Sequence, residues 1–240
     1  PAREAIVSRH EGGYILEGDY SQLEFRVAGY LSQDPVIYEE VESGFDVHSY
    51  TAEIMGVSRQ DAKAHTFKPL YGGVLGTNRE MAYYSAFRNK YQGVTEWHDK
   101  LQEEAVTKKT VTLPSGREYA FPYAKYTRYG TTVGATSIKN YPVQGFATAD
   151  LLPLALIRLH KCLKAMAKPK PQSRIINTVH DSIIMDVHPD EKNTMIELLK
   201  RSMLCIPEEC STVFGVTFDM PIEIEMKIGT DWLNLEELKI

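Results

Sequence analysis

Two β-rich runs, Arg174–Val179 and 183–187, are separated by only three polar residues, His180-Asp181-Ser182. So short a junction joins neighbouring antiparallel strands, because a parallel crossover needs a dozen residues or more. An antiparallel pair of that kind needs further strands and a covering layer to bury its apolar side. Other runs supply both. A strand at 14–19 leads into a helix at 22–31 with Leu23, Val27 and Leu31 on one face. The stretch 220–228 alternates Ile222, Ile224 and Met226 with Glu223, Glu225 and Lys227 as a last strand. Pro114-Ser115-Gly116 is turn chemistry for a hairpin over 112–121. Ser58 caps a helix over 59–70, Asp150 caps one reaching Met166, and Pro189 opens another. The predicted fold class is α+β: an antiparallel sheet backed by helices, with a mostly helical middle.

Composition narrows the function classes. The 240 residues are 43% hydrophobic and 25% charged, an ordinary globular balance that argues against disorder, collagen or coiled coil. Apolar stretches stop at a few residues, such as 154–157, so no membrane span is expected. There is no basic-then-apolar leader, and Cys162, Cys205 and Cys210 are too few and wrongly spaced for a zinc site or a disulfide framework. They read as ordinary core residues in a reduced, cytoplasmic setting. A start at Pro1 suggests a processed product or a fragment. The net charge of −5 hides an uneven distribution. From Arg59 to Lys90 six Lys/Arg face two acids, and from Lys100 to Lys139 seven face three. Beyond Pro207 eight acids face two lysines. A basic middle suits a polyanion on one face, and it equally suits an ordinary solvated surface.

Two constellations carry candidate chemistry. Asp19 ends a strand and Asp181 sits at a β-β junction. Two-metal phosphoryl transfer needs carboxylates held on rigid adjacent strands, although an Asp at a strand end also serves as a turn former. The second constellation is Arg59, Lys63, Phe67 and Tyr71, each four residues apart, which forms one slowly spiralling stripe on a helix. Its cations suit a triphosphate and its rings a base. An amphipathic helix with a solvated basic end and a buried aromatic end has the same pattern.

Together these residues resemble the A-family DNA polymerases, the group of bacterial DNA polymerase I and many phage replicative enzymes. Asp19-Tyr20-Ser21-Gln22-Leu23-Glu24 resembles the palm motif that begins with a metal-binding aspartate. Arg59-x3-Lys63-x3-Phe67-x3-Tyr71-Gly72 is similar to the fingers-helix motif, and His180-Asp181 to the second palm motif. Asn140-Tyr141-Pro142-Val143-Gln144-Gly145 resembles a segment facing the primer–template. The four occur in the family's order and cover essentially the whole chain. Trp232 resembles the family's C-terminal tryptophan, which implies that the natural C-terminus is present. The short interval from His48 to Arg59 is more similar to phage members.

The resemblance implies an α+β chain with palm at 1–47, fingers at 48–135 and palm again at 136–240. It implies DNA-directed DNA synthesis from dNTPs on primer–template DNA. Asp19 and Asp181, with the Tyr20 carbonyl, would hold two Mg²⁺ ions. His48, Arg59 and Lys63 would contact the triphosphate, with Lys63 also a general acid for pyrophosphate. Gln22 joins the nucleotide-binding set. Phe67 would lie beside the incoming sugar and base, and Tyr71 near the template base. Glu24 would exclude a 2′-hydroxyl, which argues against the alternative of a phage-type single-subunit RNA polymerase. The two intact aspartates argue against the other alternative, a non-catalytic nucleic-acid-binding polymerase subunit. Asn140, Gln144 and His180 would touch the duplex. In the family, Phe at position 67 goes with poor acceptance of dideoxynucleotides.

Three departures stand out. Ser182 replaces the family's usual Glu, and Thr136 stands where bacterial members place an Arg. Pro69 should clash with the His65 carbonyl and loosen the turn carrying Tyr71. Only eighteen residues precede Asp19, so a thumb and any exonuclease are expected from an upstream segment or a separate chain. Asp186 and His188 read as edge-of-strand polar groups, and His65, His98 and His160 as surface or helix-packing residues. The stretch 168–173 reads as a linker.

Overall fold

The computed structural model describes residues 2–73, 75–166 and 170–239. In chain order its elements begin with β1 (Tyr14–Tyr20), α1 (Leu23–Ser32), α2 (Pro35–Ser43), α3 (Val47–Met55) and α4 (Arg59–Thr66). The middle holds α5 (Asn78–Lys90), α6 (Gln92–Lys108), β2 (Thr110–Thr112), β3 (Glu118–Ala120) and α7 (Ala135–Gln144). Then come α8 (Leu152–Ala165), β4 (Arg174–Val179), β5 (Ser182–Val187), α9 (Lys192–Leu204), α10 (Ile206–Phe214), β6 (Ile224–Gly229) and β7 (Leu235–Glu237). The chain divides into two compact units, one of Pro1–Leu23, Ala147–Phe218 and Ile222–Ile240, the other of Glu24–Phe146 with Asp219–Pro221. The palm and fingers bounds expected from the sequence are functional labels at other positions and belong to the proposal below.

The first unit is the expected antiparallel sheet backed by helices. Its strand order is β4-β5-β1-β6-β7, every neighbour antiparallel, with β1 in the centre. Strand alternation gives β1 two faces. Leu16, Gly18 and Tyr20 look towards the helices. A Cβ at Gly18 would stand 2.5 Å from the Met203 sulfur and 3.1 Å from Leu199, so only glycine lets α9 seat this closely. The buried Tyr20 hydroxyl donates to the Met203 carbonyl at 2.8 Å. On the opposite face Ile15 and Ile184 pack with Trp232, against Ile6, Val179 and Leu235. The Trp232 indole N–H donates to Glu17 Oε2 at 2.6 Å, which satisfies its one donor.

Several expectations for this unit change. Asp150 does not cap a helix, because the chain is already helical from Ala135. After Gln144 it widens into a π-helical stretch, Gly145–Leu151, and continues as α8. Pro153 has no N–H for the Ala149 carbonyl and its ring crowds that oxygen, a conflict the wider spacing relieves. Asp186 is not an edge group. It lies on the inner strand β5, 5% exposed, where it accepts from the Ser8 hydroxyl at 2.6 Å and pairs with Arg9 at 3.3 Å. His188 accepts from the Asp190 N–H at 3.3 Å at the start of the turn before α9. The last strand begins at Ile224 rather than 220, and β7 follows it. Of the expected linker, residues 168 and 169 lie outside the described residues. Gln172 and Ser173 are pinned by their N–H groups to Glu191, each at 2.9 Å. Cys210 is buried, Cys162 and Cys205 are half-buried, and all three are unpaired.

The second unit is helical, with the expected β2–β3 hairpin turning at Gly116 (φ +83°). Its helices start where short polar side chains can accept from the first free N–H groups. Asp34 serves α2, Asp46 serves α3, Ser58 serves α4, and Thr77 with Glu80 forms a full capping box on α5. Tyr83, Phe87, Tyr91 and Phe25 are buried side by side in this unit. The helix expected over 59–70 stops at Thr66. Pro69 begins a separate single turn, Pro69–Tyr71, as the clash with the preceding carbonyl requires. Among the described residues no helix is long and apolar enough to cross a membrane.

His98 on α6 is a helix-packing residue, 7% exposed, with Nε2 donating to the Leu70 carbonyl at 2.8 Å. Burial, reinforced by the nearby Lys139 charge, holds its pKa down at about 3. The unfolded chain protonates the same imidazole near pH 6.5, so folding stability falls as pH drops from about 6.5 towards 3, by on the order of 4 kcal/mol in all. His98→Gln keeps a donor and removes the titration. Its urea midpoint should therefore change less between pH 7 and pH 4 than that of the parent, and parallel curves would contradict this account.

Candidate active site

Asp19 and Asp181 come together in the sheet unit. Asp19 is paired across the ladder with Ser182 at the first position of β5, and Asp181 is the residue just before it. The β4–β5 turn is made by His180 in the left-handed region (φ +56°), which an unbranched polar residue tolerates at modest strain. The Ser182 hydroxyl donates to the Val179 carbonyl at 2.9 Å, so it closes the turn and adds no carboxylate. The expected supporting Glu thus has no counterpart in charge at this position.

The two carboxyl groups share a hydrogen bond, and burial raises both pKa values. For Asp19 the Asp181 charge and then the Glu17 charge push further up, while Lys227 pulls down. Two like charges in a partly dry site resist joint ionisation without a counter-charge, so the pair holds a proton more readily than either carboxyl would alone. A hard divalent cation answers the same crowding, and an all-oxygen donor set is what Mg²⁺ takes. The Tyr20 carbonyl adds a donor. Ser21 N–H is spent on the Glu223 carbonyl at 2.9 Å on the β6 side, which turns the Tyr20 carbonyl to the β5 side, where the ladder has ended at Ser182. Among the described residues no group of three or more His, Cys, Asp or Glu side chains is placed to hold a metal. The donor set fits a cation whose remaining positions are filled by backbone, water and phosphate oxygens. Glu17, Glu225 and Lys227 share the face of Asp19 and were not singled out from the sequence. The alternation at 17, 19, 225 and 227 was the signal for them.

The helical unit gathers the remaining candidates. Arg59 and Lys63 lie exposed on α4. Arg59 is held by Asp46 in a fork, Nε at 2.6 Å and a terminal nitrogen at 3.3 Å. Asp46, which the motif reading missed, also accepts from the His48 and Ser49 N–H groups as the cap of α3, and the Arg59 bond above all drives its pKa far down. An Asp just ahead of an apolar helical residue was the available sign. The Thr66 hydroxyl donates to the Ala62 carbonyl at 2.9 Å, so at 3.0 Å it accepts from His48 Nδ1. In the neutral ring that bond selects the tautomer protonated at Nδ1. Burial, followed by the Arg59 charge, lowers the His48 pKa. Phe67 lies against the His48 ring at 5.3 Å and the Phe25 ring at 6.3 Å.

Glu24, Tyr71 and Gln144 form one cluster. Both the Tyr71 hydroxyl and Gln144 Nε2 donate to the Glu24 carboxylate, the latter at 2.5 Å, and Nε2 lies 3.1 Å from the Tyr71 oxygen. Residues 24, 71 and 144, distant in sequence, thus meet around one carboxylate. Gln22 is half-buried at the entry to α1 with φ +52°, Asn140 is half-buried on α7, and His180 is exposed.

A family model described as DNA polymerase family A matches residues 1–234. DNA polymerase I of Streptococcus pneumoniae is 31% identical, over 96% of this chain and 27% of that protein. The thermostable DNA polymerase I of Thermus filiformis is 29% identical, over 98% and 29%, and DNA polymerase I of Aquifex aeolicus 27% identical, over 95% and 40%. The chain therefore spans well under half the length of these curated relatives. Among solved structures, the polymerase domain of Pol1 from M. smegmatis, in complex with DNA primer-template and dNTP, superposes with a TM-score of 0.77 at 24% identity. The match covers 96% of this chain and 42% of that one.

Asp46 carries both a helix cap and the Arg59 fork, so the two roles separate by substitution. Asp46→Ala should lower stability by about 1 kcal/mol, the usual loss of an N-cap. Asp46→Asn, which keeps a capping oxygen, should lose less than half of that, as read from urea unfolding midpoints.

Proposed function

The chain belongs to DNA polymerase family A, and from that premise we propose that it carries template-directed DNA synthesis from dNTPs by two-metal nucleotidyl transfer. The observation that carries the reading is the pair of neighbouring carboxyl groups, Asp19 on β1 and Asp181 in the β4–β5 turn, crowded enough to favour a counter-charge. With the Tyr20 carbonyl they would hold two Mg²⁺ ions. When bound, such ions lower the pKa of a primer 3′-hydroxyl and neutralise charge on a triphosphate.

The other residues have separate tasks. Arg59, Lys63 and His48 bind the triphosphate, Arg59 by exchanging its Asp46 fork for phosphate oxygens, which have the same bidentate geometry. The primer 3′-hydroxyl loses its proton to solvent water as its oxygen bonds to the α-phosphorus, the bond to the bridging oxygen breaks, and Lys63 donates a proton to the departing pyrophosphate. His48 joins this set as a third cation when a bound phosphate raises its pKa and protonates Nε2. Phe67 lies along the incoming sugar and base, and Tyr71 next to the template base. Gln22 supports the nucleotide, and Glu24 with its ring neighbour fills the space a 2′-hydroxyl would need. Asn140, Gln144 and His180 touch the primer–template. Residues 1–47 and 136–240 serve as palm and 48–135 as fingers. A thumb and an exonuclease from a further segment or chain, and a cytoplasmic setting, belong to the same reading.

Primer extension on a primed DNA template with Mg²⁺ tests it. Asp19→Asn and Asp181→Asn should each reduce dNTP incorporation by at least a thousandfold while leaving primer–template affinity within a few-fold. Glu24→Ala should raise rNTP incorporation relative to dNTP. Undiminished synthesis by the Asp181→Asn protein would sink the metal assignment, and a preference for rNTPs in the parent chain would move it to RNA synthesis.

A further inference from the structure

Between Glu118 and Asp150 the sequence contains no acidic residue, although the whole chain has 32 among 240. Within that stretch a small hairpin projects from the helical unit. It is built by the Val133 N–H to Lys125 carbonyl bond at 3.0 Å, the Thr127 N–H to Thr131 carbonyl bond at 2.7 Å and a bridge between Tyr126 and Thr132. Its tip turns at Gly130 (φ +74°), and the Thr127 and Thr131 hydroxyls lie 2.7 Å apart across it. Below it Phe121 and Ala124 sit in an apolar cluster with Leu101, Ala105, Val111 and Ile138. Lys109 Nζ donates to the Ala124 carbonyl at 2.7 Å. The hairpin is thus held at both ends.

What it presents is unusual for an anchored loop. Tyr123 is 82% exposed and Tyr129 75%, so neither ring serves the core. Lys125 and Arg128 alternate with them, and the Arg128 guanidinium lies 4.6 Å from the centroid of the Tyr129 ring and donates to its hydroxyl. Tyr126 is different. It faces a groove along α6 where Glu96, Asp99 and Glu103 outnumber Lys100, so the net charge there disfavours a phosphate. Exposed rings interleaved with cations are what unpaired nucleic acid uses, its bases stacking on the rings and its phosphates meeting the charges.

We propose that this hairpin is a stacking platform for single-stranded DNA, with Tyr123 and Tyr129 taking bases, Lys125 and Arg128 taking phosphates, and Tyr126 outside the path. The proposal adds an unpaired-strand contact to the reading above, and its test needs neither synthesis nor metal. Anisotropy of fluorescein-labelled oligo(dT) with the full chain measures the affinity directly. Tyr123→Ala with Tyr129→Ala should weaken binding by roughly tenfold or more, the usual effect of losing stacked rings. The corresponding Tyr→Phe pair keeps the rings and should bind as the parent does. Tyr126→Ala should change affinity less than twofold. Lys125→Gln and Arg128→Gln should each reduce the slope of log affinity against log salt by about 0.7.

Equal binding by the Ala pair and the parent, at unchanged melting temperature, would overturn the proposal. Equal loss in the Phe pair would do the same, since hydroxyl bonds and not stacking would then be responsible, as would a full loss in Tyr126→Ala. A 5′-overhang template and a flapped nick then tell which strand supplies the bases: the Ala pair should lose affinity for one of them selectively. Failure of Asp181→Asn to block synthesis would leave these binding results untouched.

Discussion

Asp19 and Asp181 repel each other once both are ionised, and the sheet fixes the backbone of each beside the other. Asp19 is fixed by a central strand with neighbours on both sides, and Asp181 by a turn too short to swing. A one-residue slip of β1 against β5 would move Asp19 to the helix-covered face, and that face is closed by the fit of Gly18 under Met203. The register that buries Leu16 and Tyr20 is therefore the register that presents Asp19. Packing energy on one side of the sheet holds an electrostatically unfavourable arrangement on the other. Such an arrangement is what a site for a highly charged cation requires before the cation arrives.

In the helical unit the charged groups of the candidate site are satisfied internally. Arg59 is forked to a carboxylate, which offers it the geometry of a phosphate. Glu24 accepts from Tyr71 and Gln144. These bonds cost little when replaced by bonds of the same kind, because each donor leaves one oxygen for another. The partly exposed Arg59–Asp46 pair is a weak stabiliser in water and readily exchanged. Buried groups behave otherwise: His98, held neutral by burial, and Asp186, inside β5, are committed to the fold.

Much of this was legible from residues alone. The three-residue β-β junction, the alternation at 222–227 and the turn chemistry at 114–116 reflect local rules that the strands obey. Asp19, Asp181 and the four-residue series were legible as types at fixed spacing. What sequence could not supply was pairing at a distance. The meeting of residues 24, 71 and 144 depends on three separate elements, and so does the neutralisation of Arg59 by Asp46. The errors had local causes. Pro69 divides the expected fingers helix, so Phe67 closes one helix while Tyr71 sits in the next turn. Asp150 looked like a cap because nothing in its neighbourhood reveals that the chain is already helical from Ala135. Asp186 looked peripheral because a strand's place in a sheet is not written in the strand.

The break at Pro69 also bears on how the site works. On one unbroken helix, Arg59, Lys63, Phe67 and Tyr71 would move as a rigid set. Here the cations ride on α4 with Phe67 at its end, while Tyr71 belongs to a separate turn anchored by Gly72 in the left-handed region and by the His98 bond to Leu70. The groups proposed for the triphosphate and the group proposed for the template base are thus carried by two separate elements. On the proposed roles, a phosphate would meet α4 and a template base the next turn, so substitutions at Pro69 bear on how the two contacts are coupled.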